Sequence, residues 1–318
     1  MHHIRRPRAR LAAALAVAAL AGALAVPFGL AAGALAPAAA HRAPAHLVVV
    51  GAESQYASLL GVIGGAQVRA TAVMSNPDVD PHSFEASPSV ARLIASAALV
   101  VQNGLGYDSF MNRLEAASPS RTRRVITVQN VLHLPASTRN PHLWYRLDTM
   151  PAVAAAIAKD LGRLDPRHAR LFRLRAQGFD QSFAAVTAAA RALRRRAHHA
   201  PVATTEPVAD DLLAALGLRN RTPWSLQADV MNGVDPAPQD VATEQQLLSG
   251  GEVKAFLYNA QVTDSLTATF AALARAHHVP VVAVYETMPP HHSVVSWMLD
   301  EIHAIGAALF AHRSTRSL

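Results

Sequence analysis

Short apolar runs alternate along this chain with longer stretches whose apolar positions recur at helical spacing, and polar turns separate the two. The run from His46 to Gly51 is rich in β-branched residues and closes on glycine, which predicts a buried strand. Helical spacing follows from about Ser54 to Ile63, where Gly64-Gly65 stops it, and Gln67 to Val73 again reads as a strand. Ser87-Pro88-Ser89 opens a helix through about Ala97, and Ala98 to Gln102 makes a strand before Asn103-Gly104. The same rhythm returns after residue 200. Strands are predicted at Pro201–Thr204, near Ala255–Tyr258 and at Val281–Val284, with helices at Val208–Leu216 and Ser265–His277. Such alternation predicts βαβ units and mostly parallel sheets.

Between the two halves runs a segment from about Pro166 to His198, rich in Ala, Leu and Arg and interrupted only by Gly178. Asp165-Pro166 supplies a helix start, and the pattern predicts one long helix bridging two lobes. Its Arg191–Arg196 cluster suits a solvated helix C-terminus, which favours cations, better than a nucleic-acid patch. The expected organisation is therefore a leader (1–40), an N-terminal α/β lobe (41–165), a linking helix (166–198) and a C-terminal α/β lobe (199–318).

The leader reading rests on Arg5, Arg6, Arg8 and Arg10, an uncharged stretch over residues 11–36, and the small residues Ala38-Ala39-Ala40. It predicts export, with either cleavage or an uncleaved membrane anchor. Removing residues 1–40 takes away four arginines and no acid, lowering the formal charge from +7 to +3, too mild a balance to imply nucleic acid. The chain has no cysteine, which excludes disulfides and a lipid-modified N-terminal cysteine. A soluble or self-tethered periplasmic, or otherwise extracytoplasmic, monomer is the expectation.

Candidate chemistry lies on four separated turns. Asp80-Pro81-His82 and Asn140-Pro141-His142 each set a proline before a histidine, which fixes φ near −65° and extends the preceding residue, so each imidazole sits on a stiff turn. Glu206 and Glu286 follow predicted strands. His82, His142, Glu206 and Glu286 together make the imidazole and carboxylate set that suits manganese, iron(II) or zinc. In open α/β sheets such residues, just past the carboxyl ends of strands, face a cleft. His133, His291 and His292 read as exposed loop histidines. Glu85, near Ser87, reads as a cap of the next helix. Asn103, Gly104 and Tyr107 either line the cleft or form an ordinary turn.

Several strings together resemble a known family, the zinc- and manganese-binding substrate-binding proteins of ABC importers. They are Asp80-Pro81-His82-Ser83-Phe84-Glu85 with Ser87-Pro88-Ser89; Asn140-Pro141-His142-Leu143-Trp144; Thr205-Glu206-Pro207 leading to Leu216-Gly217-Leu218; and Tyr285-Glu286-Thr287-Met288-Pro289-Pro290. The resemblance implies two α/β lobes, each with a mostly parallel sheet flanked by helices, joined by a rigid long helix, with one divalent metal held between them and passed to a membrane permease. It implies that His82 and His142 are the N-lobe histidines. Glu206 stands where zinc-type members often carry a third histidine and manganese-type members a glutamate, and Glu286 stands at an acidic ligand position. Asp210-Asp211 replaces an aromatic of the family pattern, Arg146-Leu147-Asp148 puts an acid out of step, and the His-rich acidic loop of many zinc importers is missing.

The function expected is capture of manganese or zinc, with iron(II) a third candidate, for an ABC permease. A metallohydrolase on the same His/Glu set, or a metal-binding adhesin or storage protein, are the alternatives. Four protein ligands leave no dedicated water position, and the chain has neither His-Glu-x-x-His nor Gly-x-Ser-x-Gly, so no enzyme activity is expected. Two nitrogens and up to four carboxylate oxygens favour manganese or iron(II); zinc uses the same residues one oxygen at a time.

Overall fold

The structure, a computed structural model, describes residues 46–76 and 84–318. The leader reading for residues 1–40 lies outside these. The first half runs β1 (Leu47–Glu53), α1 (Ser54–Gly64), β2 (Val68–Met74), α2 (Pro88–Ser96), β3 (Leu99–Gln102), α3 (Ser109–Ala117), β4 (Arg124–Thr127) and the short α4 (Val128–Val131). Two long helices follow, α5 (Thr149–Leu164) and α6 (Ala169–Ala197). The second half runs β5 (Pro201–Thr204), α7 (Asp210–Ala215), β6 (Arg219–Asn220), α8 (Trp224–Met231), α9 (Pro238–Ser249), β7 (Phe256–Asn259), α10 (Ser265–Ala276), β8 (Val281–Val284) and α11 (Val294–Ala311).

The strands form two four-stranded sheets of the same connectivity, β2-β1-β3-β4 and β6-β5-β7-β8. Every pairing is parallel, with Val49 beside both Ala70 and Leu99 in the first sheet and Asn259 beside Val284 in the second. Parallel sheets need both faces covered, and strands β3 and β8 are accordingly buried throughout, over Leu99–Gln102 and Val281–Val284. In each sheet the order reverses beside the first strand of its half, between β1 and β3 and between β5 and β7. That is where an open α/β sheet leaves a crevice beyond its strand ends.

The bridging helix forms as its pattern predicts, except that Pro166–His168 make a turn of 3-10 helix before α6 begins. Gly178 does not break it. At 1.5 Å per residue its 29 residues extend about 43 Å. Phe172, Phe179, Phe183, Val186, Ala190 and Leu193 form a buried stripe at spacings of three, four and seven, and they join one continuous core that reaches Val49 and Leu60 on one side and Val202, Leu257 and Val282 on the other. Full burial of each large apolar side chain contributes about 1.5–3 kcal/mol, so the helix is fixed to both sheets rather than spanning them freely. Helix α11 is long and apolar enough to cross a membrane, but its Trp297, Met298, Ile302 and Ile305 are buried in this core.

Candidate metal centre

The N-terminal wall of the site is built by the loop after β3. Gly104 sits at φ +89°, where a Cβ would meet Thr127 Cγ2 at 2.9 Å, so glycine is required both by conformation and by space. The Asp108 carboxylate gathers the backbone N–H groups of Asn103 and Gly104, and Gln129 Oε1 accepts from the Leu105 N–H. The loop so pinned aims Tyr107 across the cleft, where its hydroxyl donates to Glu286 Oε2 at 2.7 Å. Asn103 Nδ2 donates to the Pro141 carbonyl at 2.7 Å, tying this loop to the turn that carries His142.

His142 is fully buried. Its Nδ1 lies 2.8 Å from Asn140 Oδ1, and Asn140 Nδ2 donates to Asp211 Oδ2 at 3.3 Å. A carboxylate accepts only, so Asp211 fixes which way the Asn140 amide faces. Asn140 then presents its oxygen to His142, Nδ1 carries a hydrogen, and Nε2 is the ring nitrogen turned towards Glu286. That nitrogen lies 3.3 Å from Glu286 Oε2. Asp211 also faces Arg146 at 3.9 Å, and Arg146 pairs with Asp148 at 3.1 Å. The two departures from the family pattern thus meet each other in an outer layer behind His142. Burial raises the Asp211 carboxyl, and pushes neighbouring Asp210, held by Asn220 Nδ2, up to about 6.

The opposite wall comes from three strand ends. Glu206 follows β5, Asn259 closes β7 and Glu286 follows β8, all three buried. Asn259 Nδ2 donates to Glu286 Oε1 at 2.6 Å and to Glu206 Oε1 at 3.2 Å, holding the two carboxylates together. Gln261 Oε1 accepts from the backbone N–H groups of Glu286 and Thr287 at 2.6 and 2.7 Å, and Gln55 Nε2 reaches the Glu286 carbonyl at 3.3 Å. Two neighbouring anions in a water-poor site repel, and among the described residues a phenol and an amide donate to this pair, with His142 Nε2 facing Glu286 as well. The Tyr107 hydroxyl is raised well above its ordinary value by burial first and by the Glu286 carboxylate next. Beneath the site Glu53, at the end of β1, is raised by burial and by Asp108, while Glu301 is raised to about 8 by burial. Glu301 Oε1 receives the Trp297 indole N–H and lies 2.8 Å from Tyr145 Oη, which also lies 2.9 Å from the Tyr285 carbonyl and accepts from the Tyr285 backbone N–H at 3.3 Å.

Of the four residues expected to ligate, the structure brings His142, Glu206 and Glu286 to one cleft, Glu206 joined through Asn259; His82 lies outside the described residues. Among the described residues no three His, Asp or Glu side chains form a group that would hold a metal by themselves. His133 is exposed at φ +53°, His291 is exposed, and His292 pairs with Asp300 at 3.3 Å. Glu85 is not the cap expected of it: Ser87 accepts from the Val90 N–H and caps α2. Asn259, Gln261 and Tyr145 were not anticipated. A polar residue ending the apolar run Phe256-Leu257-Tyr258 was the available signal, the same one that marks Glu206 and Glu286.

Residues 49–308 match the family model described as zinc-uptake complex component A, periplasmic. The manganese-binding lipoprotein MntA of Bacillus subtilis is 28% identical over 142 residues, 42% of this chain and 46% of that protein. The zinc-binding protein TroA of Treponema pallidum is 26% identical over 184 residues, 55% of this chain and 57% of that one. The matched region thus spans about half the length of these curated relatives. The structure of FpvC from Pseudomonas aeruginosa in complex with Mn2+ shares the fold, with a TM-score of 0.69 at 22% identity over 83% of this chain and 98% of that one.

Proposed function

The chain belongs to the zinc-uptake complex component A family, and from that premise we propose that it is an extracytoplasmic solute-binding protein that captures one divalent transition metal, manganese or zinc, for an ABC importer. His142, Glu206, Glu286 and His82 are its ligands. One observation carries the reading: His142 Nε2 and a Glu286 carboxylate oxygen, both buried, stand 3.3 Å apart. A neutral imidazole nitrogen and a carboxylate oxygen at that range are placed to share a cation, either a proton or, in the loaded protein, a metal ion. Ligands about 2.05 Å from a tetrahedral ion stand about 3.3 Å apart, which is the separation found. The ion is cargo, and it would neutralise the two glutamates that Asn259 holds together. The relatives named for manganese and for zinc support this metal class.

A receptor reading also fits the absence of an open coordination position in a two-His, two-Glu set, since a metallohydrolase must keep one for water. Delivery requires a membrane permease and its ATPase, and the residues around the cleft mouth are the surface such a partner would address. The test is metal analysis of protein purified from its native compartment, followed by a thermal melt after chelator treatment. One equivalent of manganese or zinc, and a melting temperature raised by adding that ion back, is the expected result. A chelated protein whose melt is unmoved by manganese, zinc and iron(II) contradicts the proposal.

A further inference from the structure

Each strand of the second sheet is entered through a basic side chain. Along the order β6-β5-β7-β8 these are Arg219, His199, Lys254 and His278, each within three residues of its strand's start. Arg313 leads in the same way into Thr315, which bridges to β8. All five are exposed. The backbone sets them side by side: the Lys254 N–H donates to the Pro201 carbonyl, Arg219 stands in register with Pro201, and the Thr315 N–H donates to the Val281 carbonyl. At about 4.8 Å per strand the row is about 19 Å wide.

The flanking helices end at the same edge, α6 adding Arg195 and Arg196 and α10 adding Arg275. The segments that meet there, 191–200, 214–221, 250–256, 272–281 and 303–316, hold ten Arg and Lys and one acid, Glu252, a balance of +9. Past residue 40 the whole chain carries +3, so its remainder is acidic by six. Residues 1–45 contain no acid, and Asp78 and Asp80 belong to the other lobe, past the carboxyl end of β2. Local duties account for few of these cations. Arg194 donates to the Ala214 and Ala215 carbonyls at the end of α7, and Arg221 pairs with Glu252 at 3.2 Å. A helix C-terminus favours cations, but Arg219, Lys254 and Arg313 stand at strands, whose dipoles are small. Arg191 and Arg195 sit at i,i+4, a spacing at which like charges repel. Among the described residues none of these five forms an ion pair. Phe310, 41% exposed, lies at the same edge with the Arg196 guanidinium 4.0 Å above its ring.

An exposed aromatic among uncompensated cations is the pattern of a surface that meets lipid headgroups. We infer that this edge is a docking surface for an anionic phospholipid bilayer, its guanidiniums and Lys254 meeting lipid phosphates and Phe310 standing at headgroup level. The metal cleft, at the carboxyl ends of the strands, then faces away from the lipid, so that the receptor is held near its membrane with the cleft open to capture. The contact is electrostatic and therefore reversible, which delivery to a permease requires. The inference goes beyond the metal-receptor reading and rests only on its extracytoplasmic location.

Flotation of protein purified from its native compartment, with phosphatidylcholine vesicles that contain or lack phosphatidylglycerol, tests it. Binding is expected only to the anionic vesicles, and release is expected as salt rises from about 0.1 to about 1 M, where the Debye length falls from about 10 to about 3 Å. Arg195→Gln/Arg219→Gln/Lys254→Gln is expected to weaken binding by about fivefold for each cation removed. Arg92→Gln/Arg170→Gln/Arg173→Gln, which removes three exposed cations elsewhere, changes it by less than about threefold. Because the chain has no cysteine, a dye attached through Ala311→Cys reports this edge, and one attached through Asn232→Cys reports the side of the cleft that Tyr107 and Pro141 occupy. Nitroxide-labelled headgroups are expected to quench the first and spare the second. Binding indifferent to phosphatidylglycerol or to salt, no loss in the first triple variant, an equal loss in the second, stronger quenching at position 232, or tighter binding to a DNA duplex than to the vesicles overturns the inference. Chelated and manganese-loaded protein are both floated. A protein that floats in both states but never takes manganese would contradict the receptor reading and keep the docking surface; one that takes manganese and stays off the vesicles does the reverse.

Discussion

Asn140 orients His142 twice over, its Oδ1 lying 2.8 Å from the imidazole Nδ1 and 3.1 Å from the His142 backbone nitrogen. The same turn that proline stiffens therefore sets the tautomer of the imidazole. Groups that hold a ligating histidine from behind typically matter by about 10–100-fold in metal affinity. Asn140→Ala is expected to weaken manganese binding within that range with little change in fold, read by competition with a metal indicator. Wild-type affinity in the variant would show that Nδ1 needs no partner.

Asn259 does the equivalent work for the two glutamates, donating to both. Removing it leaves two buried carboxylates facing each other, a loss of about 1–3 kcal/mol in the metal-free protein. The ion supplies the missing positive charge, so Asn259→Ala is expected to lower the melting temperature of chelated protein more than that of loaded protein. Equal losses in both states would place Asn259 outside the electrostatics of the site.

Much of this was legible before any coordinates. The strands at Val281–Val284 and Pro201–Thr204 announce themselves as short apolar runs, and the acids that follow them mark the cleft. Strand β4 escaped because Arg124-Val125-Ile126-Thr127 has only two apolar residues, one of them largely exposed. Helix α5 has Asp148 at its N-cap position, but that carboxylate pairs with Arg146 instead of capping the helix. Helix α11 does carry a capping box at Ser293 and Ser296, a signal that was present and unused. The contact between Tyr107 and Glu286 joins residues 179 apart, on opposite sides of the cleft. Only the docking of both sheets on α6 brings them together, and no local pattern encodes that.

Burial gives stability a pH dependence away from the ligands. Glu301 and Glu244 are both pushed by burial from an ordinary value near 4.5 up to about 8. The folded chain then keeps these protons to about pH 8, while the unfolded chain releases them near pH 4.5. Between those limits the folded state binds more protons, so stability falls as pH rises, by about 1.4 kcal/mol per pH unit for each group. Denaturant titrations from pH 5 to 8 are expected to show that decline. Glu301→Gln, a neutral replacement, is expected to flatten it and to exceed the wild type at pH 8; parallel profiles would mean that Glu301 is ionised in the folded protein.

Metal choice is expected to turn on Glu206. Replacing this proposed oxygen ligand, which has two oxygens to offer, by a single nitrogen is expected to weaken manganese far more than zinc. Competition titrations on Glu206→His are expected to move the manganese-to-zinc affinity ratio towards zinc. An unchanged ratio would remove Glu206 from the ligand set and turn attention to Asp210 and Asp211.

The central claim is that these side chains close around one ion, and anomalous scattering from a zinc-loaded crystal addresses it most directly. A single strong peak is predicted in the cleft, about 2.0–2.1 Å from His142 Nε2 and about 2.0–2.2 Å from an oxygen of Glu206 and of Glu286, with the His82 imidazole completing the shell. A peak bound instead by His291, His292 or His133, or a loaded cleft in which Asn259 still bridges the two glutamates with no ion beside His142, would contradict it.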